Sequence, residues 1–125
     1  MDMQSKTGLV AIVDDDNSMR NALQGLLKAV GLSSEAFASA EEFLKYAQKH
    51  RTACLITDIC MPGISGLELQ ARLNAEHCSI PTIFITAHGD AHMRQRALRA
   101  GAVEFLAKPF DDEILLQTVR AALAS

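Results

Sequence analysis

The sequence Leu9-Val-Ala-Ile-Val-Asp-Asp-Asp16 joins a run of five apolar residues to three consecutive acids. An amphipathic stretch follows, from about Asn17 to Val30, and Gly31 ends it. Its apolar residues recur at the spacing of one helical face: Ala22, Leu23, Leu26, Leu27 and Val30. The pattern predicts a strand, a tight acidic turn and a helix that Gly31 terminates.

The same strand–helix unit recurs four times along the chain. Further strands are predicted at residues 34–38, 53–57, 82–85 and 103–107. Ser39 is predicted to cap the second helix, with Glu42 as its capping-box partner, and that helix continues through Ala47. The remaining helices are predicted around Leu67, Leu69 and Leu73, at about residues 91–100, and from the cap Asp111 to about Ala124.

Strands that alternate with helices predict parallel βαβ units with right-handed crossovers. The fold class is therefore α/β: a flavodoxin-like, doubly wound sheet of five parallel strands with five helices. Strands one, three and four are almost wholly apolar, as expected of strands covered on both faces. The second strand carries Ser34 and Glu35, which places it at an edge, and the strand order 2-1-3-4-5 satisfies this requirement.

Length and composition exclude several classes of protein. The 125 residues are expected to form one domain, 1–125, with a core of about 9–124. No apolar run is long enough to cross a bilayer, so no membrane contact is expected. The net charge of −3 argues against direct nucleic-acid binding. Cys54, Cys60 and Cys78 are odd in number and lack a CxxC spacing, which favours a reduced, cytoplasmic protein over a disulfide scaffold.

Four of the five strands end in a polar residue: Asp14, Asp58, Thr86 and Lys108. Ligands of open α/β sheets bind beyond these carboxyl ends, at the switch point between the first and third strands. Asp14, Asp15 and Asp58 are therefore expected to share one pocket. Two like charges ~4 Å apart repel by about 4 kcal/mol at an effective dielectric of ~20, so the pocket needs a proton or a cation.

Carboxylate ligands with open coordination positions favour Mg²⁺ among the hard cations. The Lys108 ammonium and the Thr86 hydroxyl suit the oxygens of a phosphoryl group, which makes Asp58 the candidate nucleophile. Each residue alone has a simpler interpretation, because a single Asp at a strand end is ordinarily a helix cap and three acids in a row fit a solvated turn. The joint arrangement carries the prediction.

Four motifs resemble the receiver domain of two-component response regulators, in the family's order and across about residues 9–122. They are Val13-Asp-Asp-Asp16, Asp58-Ile-Cys-Met-Pro-Gly-Ile-Ser-Gly66, Ile85-Thr-Ala87 and Ala107-Lys-Pro-Phe110. Three further stretches resemble the FixJ-type subgroup: Ser39-Ala-Glu-Glu-Phe-Leu44, Thr86-Ala-His-Gly-Asp90 and Ala100-Gly-Ala-Val-Glu-Phe105. In that subgroup a helix-turn-helix DNA-binding domain usually follows the receiver, and no such output domain is present in this sequence.

The resemblance implies a role for each site residue. Asp58 accepts a phosphoryl group from a sensor histidine kinase. Mg²⁺, or Mn²⁺ as a substitute, is held by Asp15 and Asp58, by Asp14 through water, and by the backbone carbonyl of Cys60. The phosphoryl oxygens are held by Lys108, Thr86 and the backbone N–H of Ala87, and the Lys108–Pro109 bond is cis. The protein is then no enzyme beyond its own phosphotransfer and self-dephosphorylation.

The resemblance also implies a switch and a partner. Thr86 moves toward the phosphoryl group and Phe105 moves inward behind it; the simpler interpretation is that Phe105 is a static core aromatic. The fourth helix, fifth strand and fifth helix are expected to form a phosphorylation-dependent homodimer. In the last helix, Ile114, Leu115, Thr118, Val119 and Ala122 are predicted to pack inward, with Leu116 and Leu123 nearly opposite as a contact stripe. DNA would be bound only through an output domain, as part of transcription regulation.

Other classes of function fit the sequence less well. A flavin or nucleotide carrier would need a Gly-rich phosphate loop after the first strand, where three acids stand instead. A phosphatase with an Asp nucleophile would need a second carboxylate close behind it, and Ile59-Cys60 offers none. A stand-alone receiver, acting in a phosphorelay or as an adaptor, stays open as the alternative. The i, i+4 pair His88 and His92 is too little for a zinc site.

Overall fold

The computed structural model describes residues 8–46, 49–87 and 91–124, and all five strands lie within these ranges. They are β1 (Leu9–Val13), β2 (Ser34–Phe37), β3 (Thr52–Asp58), β4 (Thr82–Thr86) and β5 (Glu104–Ala107). Every pairing is parallel and the order is β2-β1-β3-β4-β5. The predicted fold class, strand order and edge position of β2 are therefore confirmed.

Five α-helices connect or follow the strands in the described residues. They are α1 (Asn17–Ala29), α2 (Ala40–Leu44), α3 (Gly66–Ala75), α4 (Ala91–Arg99) and α5 (Asp112–Ala124). A short 3₁₀ turn at Lys49–Arg51, which the sequence pattern did not predict, leads into β3. Helix α2 ends at Leu44, earlier than predicted, and Ala47 lies outside the described residues.

Helices cover both faces of the sheet, which explains why its inner strands are mostly apolar. On one face, α1 and α5 bury Leu23, Leu27, Leu115, Val119 and Ala122 against alternate residues of β1, β3 and β4. On the other, α2 and α3 bury Phe43, Leu69 and Leu73 against Ala11, Val13 and Leu55. Side chains of a strand alternate between the two faces, so each central strand serves both layers.

Side-chain caps fix where the helices begin. Asp16, Ser39 and Ser65 each accept a hydrogen bond from a backbone N–H in the first turn of the helix that follows. Asp111 does the same for α5, accepting from the N–H groups of Glu113 and Ile114 at 2.8 and 3.3 Å. These bonds satisfy N–H groups that have no partner inside the helix. The predicted caps at Ser39 and Asp111 are confirmed.

The predicted packing of α5 is wrong at three residues. Leu116 and Leu123 pack against the core on the α1 and α5 side, and Ile114 is 48% exposed. Successive residues of a helix are about 100° apart, so Leu116 lies a quarter-turn from buried Leu115 rather than opposite to it. Ala22 of α1, predicted on the apolar face, is also exposed. No helix within the described ranges is apolar over enough turns to span a membrane.

Candidate functional site

The carboxylates of Asp14, Asp15 and Asp58 meet at the carboxyl ends of β1 and β3. One carboxylate oxygen of each residue lies within 4.8 Å of one oxygen of the other two. β1 and β3 are neighbours in the sheet, with Val13 beside Thr57, so the next residue of each strand reaches the same end. Asp14 is fully buried, Asp58 is 6% exposed and Asp15 is exposed. The structure therefore forms the acidic pocket that the strand order predicts.

Lys108, which follows the edge strand β5, completes the pocket. Its Nζ donates to Asp14 Oδ2 at 3.2 Å and to Asp58 Oδ2 at 3.1 Å, and its side chain is 15% exposed. Partial burial lowers the pKa of the Lys108 ammonium, but the hydrogen bond to Asp58 and the two carboxylate charges outweigh it and raise the pKa overall. Lys108 is therefore charged at neutral pH.

Asp14 is the most deeply buried of the three carboxylates. Burial raises the pKa of its carboxyl above the usual value, although the Asp16 N–H (2.9 Å to Oδ1) and Lys108 act in the opposite direction. The charge of Asp58 raises the pKa further. Three carboxylates and one ammonium leave a formal charge of −2 in the pocket. The folded protein therefore holds this charge at a cost unless a cation offsets it.

Asp14→Asn is expected to stabilise the metal-free protein by about 1 kcal/mol at neutral pH. Asparagine keeps an acceptor for Asp16 and removes the repelling charge. Because the pKa of Asp14 is raised on folding, the gain is full above that raised pKa and disappears as the pH falls below 3.8. Urea denaturation with a chelator measures this difference in the free energy of unfolding. With Mg²⁺ present, the wild type should become the more stable of the two proteins. An equal gain from the exposed cap variant Asp111→Asn would contradict this explanation.

Thr86 lies at the end of β4, beside the acids. It is fully buried, and its Oγ1 donates to the sulfur of Cys60 at 3.9 Å. Its carbonyl accepts from the Lys108 N–H at 2.9 Å, which joins the ends of β4 and β5. Ala87 follows Thr86 directly and is exposed. The Lys108–Pro109 bond is cis. His88, Gly89 and Asp90, which belong to the predicted FixJ-type motif, lie outside the described residues.

Phe105 lies on the same side of the sheet as α4. It is 6% exposed and packs with Ile59, Phe84 and Ala97. Its carbonyl accepts from Arg94 Nη1 at 3.2 Å, and Arg94 also pairs with Glu104 at 3.6 Å. The ring is therefore already inward in this conformation, and α4 is tied to β5 at the same residue.

The loop after Asp58 folds back against the end of β3 and contacts the Asp58 side chain. The Cys60 N–H donates to Asp58 Oδ1 at 3.1 Å, and the Gly66 N–H donates to the Ile59 carbonyl at 3.0 Å. Gly66 lies so close to this backbone that an added Cβ would overlap the Asp58 carbonyl oxygen. The first turn of α3 is thus packed directly against the end of β3.

Gly66→Ala is expected to destabilise the protein by about 2 kcal/mol, because backbone atoms must move to admit the methyl group. Gly25 in α1 offers a matched control, since an added Cβ there meets nothing within 4 Å. Gly25→Ala should instead stabilise by about 0.5–1 kcal/mol through helix propensity. Urea denaturation of both variants measures the difference, and equal effects would show that the close approach at Gly66 does not matter.

The donor set fits a hard divalent cation. Three carboxylates converge with oxygens within 4.8 Å, one of them exposed to solvent, so an ion would keep open positions. Burial also penalises the charge of Asp14, which a cation would relieve. The pocket therefore fits a small oxygen-preferring metal ion.

Arg20 contacts the acidic turn, which the sequence pattern did not predict. Its guanidinium donates to the Asp14 carbonyl at 2.7 Å and to the Asn17 side chain at 3.1 Å, which braces the acidic turn. A basic residue near a helix N-terminus is unfavourable for the helix dipole, and that signal was available in the sequence.

A model of the response regulator receiver domain family matches residues 10–120. The chain therefore belongs to this family, whose members are signalling domains of two-component systems. The response regulator protein TodT of Pseudomonas putida is 45% identical over 121 residues, which cover 97% of this chain and 53% of TodT. FixJ of Rhizobium meliloti (strain 1021), a transcriptional regulatory protein, is 41% identical over 113 residues, 90% of this chain and 55% of FixJ.

Solved structures agree with the FixJ-like assignment. The crystal structure of FixJ-N has a TM-score of 0.86 at 39% identity and covers 94% of both chains. Response regulator StyR has a TM-score of 0.86 at 46% identity, over 93% of this chain and 59% of that chain. The chain spans about half the length of the curated relatives it matches. The predicted membership, FixJ-type receiver, is confirmed.

Proposed function

We propose that Asp58 accepts a phosphoryl group from a phosphohistidine of a sensor histidine kinase. The observation that carries this proposal is the convergence of three carboxylates with the Lys108 ammonium at the switch point of a receiver fold. Asp58 is held from two sides: Cys60 N–H contacts Oδ1 and Lys108 contacts Oδ2. The carboxylate is thereby held in one orientation, and 9% of the side chain stays exposed.

The residues that would hold Mg²⁺ are Asp14, Asp15, Asp58 and the Cys60 carbonyl, with Mn²⁺ as a substitute. When bound, the ion supplies positive charge to the phosphoryl oxygens and offsets the acids. Asp14 would gain from the ion, because burial disfavours its charge.

The transfer step balances within Asp58 and its donor. A carboxylate oxygen of Asp58 forms the bond to phosphorus while the phosphorus–nitrogen bond breaks, and the imidazole leaves with that electron pair. Lys108 releases the Asp58 oxygen and donates to a phosphoryl oxygen, while the Thr86 hydroxyl and the Ala87 N–H donate to others. Water later hydrolyses the acyl phosphate, so the chemistry is confined to the protein's own carboxylate.

Phosphorylation is proposed to act through α4, β5 and α5. Thr86 exchanges its bond to Cys60 for one to the phosphoryl group, and the packing of Phe105 against α4 follows this movement. The exposed large apolar residues of the described ranges are Leu98, Val103 and Ile114, which lie on α4, just before β5 and on α5. We propose that this face forms a homodimer and controls a DNA-binding output domain, since relatives such as FixJ are transcriptional regulators.

A cytoplasmic location fits the three unpaired cysteines.

Mass spectrometry after incubation with acetyl phosphate and Mg²⁺ tests the proposal. One phosphoryl group should be gained, and a chelator should prevent it. Sedimentation of the same sample tests the dimer. A protein that gains no phosphoryl group from acetyl phosphate or from any phosphorylated kinase would contradict the proposed function, and a phosphorylated monomer at high concentration would contradict only the dimer.

A further inference from the structure

Two adjacent acids of the Ser39-Ala-Glu-Glu42 motif have different partners. Glu42 Oε1 accepts from the Ala38 N–H at 3.1 Å and so completes the local cap of α2. Glu41 Oε2 accepts from the Ile64 N–H at 3.4 Å, which lies 23 residues further along the chain. Glu41 therefore serves a segment outside its own helix: the loop between β3 and α3.

The backbone of this loop lies against the Glu41 carboxylate at residues 63 and 64. Gly63 has a positive φ of 76°, a conformation that side-chain-bearing residues rarely adopt. A Cβ at residue 63 would lie 2.6 Å from Glu41 Oε2, the same oxygen that accepts from Ile64. Two consecutive residues of the loop thus lie beside one carboxylate oxygen. Glycine suits the positive φ at residue 63, and a side chain there would displace the end of the flexible Glu41 side chain.

The segment that Glu41 contacts is continuous with the site. The loop leaves β3 at Asp58, passes Cys60, whose N–H is bonded to Asp58, and enters α3 at the capping residue Ser65. The Gly66–Ile59 bond closes the loop at its base, and Glu41 holds its outer part from the neighbouring α2. The loop that carries the Cys60 carbonyl is therefore fixed from two directions.

We propose that Glu41 is a positioning residue for the metal site: by fixing residues 63 and 64 it holds the Cys60 carbonyl where Mg²⁺ would take it as a ligand. The inference rests on one part of the proposed function, the Mg²⁺ site. A charged acceptor makes a stronger bond to a backbone N–H than a neutral one, and residues that orient metal ligands from outside typically affect affinity by about tenfold or more.

The test is a Mg²⁺ titration of the full chain, followed by NMR of its backbone amides, for four proteins. Glu41→Ala should bind Mg²⁺ about tenfold more weakly than the wild type. Glu41→Gln keeps an oxygen acceptor for Ile64 and should restore affinity to within about threefold. Glu42→Ala is the matched control: it also removes one negative charge from the first turn of α2, and it should change affinity by less than about twofold.

Amide hydrogen exchange of Ile64 without Mg²⁺ gives a readout that does not depend on the metal. Exchange should be faster in Glu41→Ala than in Glu42→Ala. Wild-type affinity in Glu41→Ala, an equal loss in Glu42→Ala, or unchanged Ile64 exchange would each overturn the inference while leaving the proposed function intact. A wild-type protein that binds no Mg²⁺ would overturn both, and normal Mg²⁺ binding without phosphoryl uptake would overturn only the proposed function.

Discussion

Asp58→Asn is expected to lower phosphoryl uptake from acetyl phosphate by at least about a thousandfold, because an amide oxygen is a far weaker nucleophile than a carboxylate. The substitution keeps the shape of the side chain and an acceptor for the Cys60 N–H. The fold should therefore persist. Intact-protein mass spectrometry over a time course measures the rate, and amide NMR spectra check that the sheet is unchanged.

Asp16→Asn provides the matched control for that experiment. Asp16 belongs to the same acidic run but caps α1 instead of joining the group of three carboxylates. Asparagine is as good a cap as aspartate, so this variant should be phosphorylated within about threefold of the wild-type rate. If Asp58→Asn kept the wild-type rate, or if both variants lost uptake equally, the assignment of the phosphoacceptor would be wrong.

Lys108→Met is expected to destabilise the metal-free protein by about 2 kcal/mol. The change leaves Asp14 and Asp58 close together without the ammonium that pairs with both. Removing one partner of a fully buried pair costs about 3–5 kcal/mol, and we reduce this figure because the Lys108 side chain is 15% exposed. Urea denaturation with a chelator measures the loss, which Mg²⁺ should diminish by offsetting the same carboxylates.

The contribution of Lys108 to the free energy of unfolding depends on pH in one direction. Folding raises the pKa of Lys108 above 10.5, so its stabilisation is fully present below that pH and is lost only as the pH rises through the folded value. The difference between wild type and Lys108→Met should therefore stay constant through neutral and mildly alkaline pH. The exposed Lys28 offers a control, and Lys28→Met should cost less than about 0.5 kcal/mol. Equal losses in the two variants would contradict a specific role for Lys108.

Much of the fold follows from local patterns in the sequence. The apolar runs predicted the bounds of each strand to within about one residue. The polar side chains of Ser34 and Glu35 predicted that β2 lies at an edge. The acidic pocket followed from strand order alone, because neighbouring parallel strands bring their carboxyl ends together. The errors in helix packing lie at exposed Ala22 and Ile114 and at Leu116 and Leu123, which pack inward. Leu116 is only about a quarter-turn from buried Leu115.

Contacts between distant segments were not predictable in the same way. The bond from Glu41 to Ile64 depends on how α2 is placed beside a loop 23 residues away, and nothing in either segment indicates its partner. The sequence also does not indicate that Glu41 and Glu42 have different partners, since both acids are favourable at the start of a helix. The burial of Phe105 agrees with its interpretation as a core aromatic, but its contact with Ala97 of α4 is one that local spacing does not determine.

Lys108 connects the outermost strand of the sheet to its middle. The residue follows β5 at the rim, yet its ammonium crosses beyond β4 to reach acids at the ends of β3 and β1. A phosphoryl group on Asp58, as proposed, would change the partners of this ammonium and therefore the restraint on β5. The surfaces formed by β5 and its flanking helices would then respond without a rearrangement of the three inner strands.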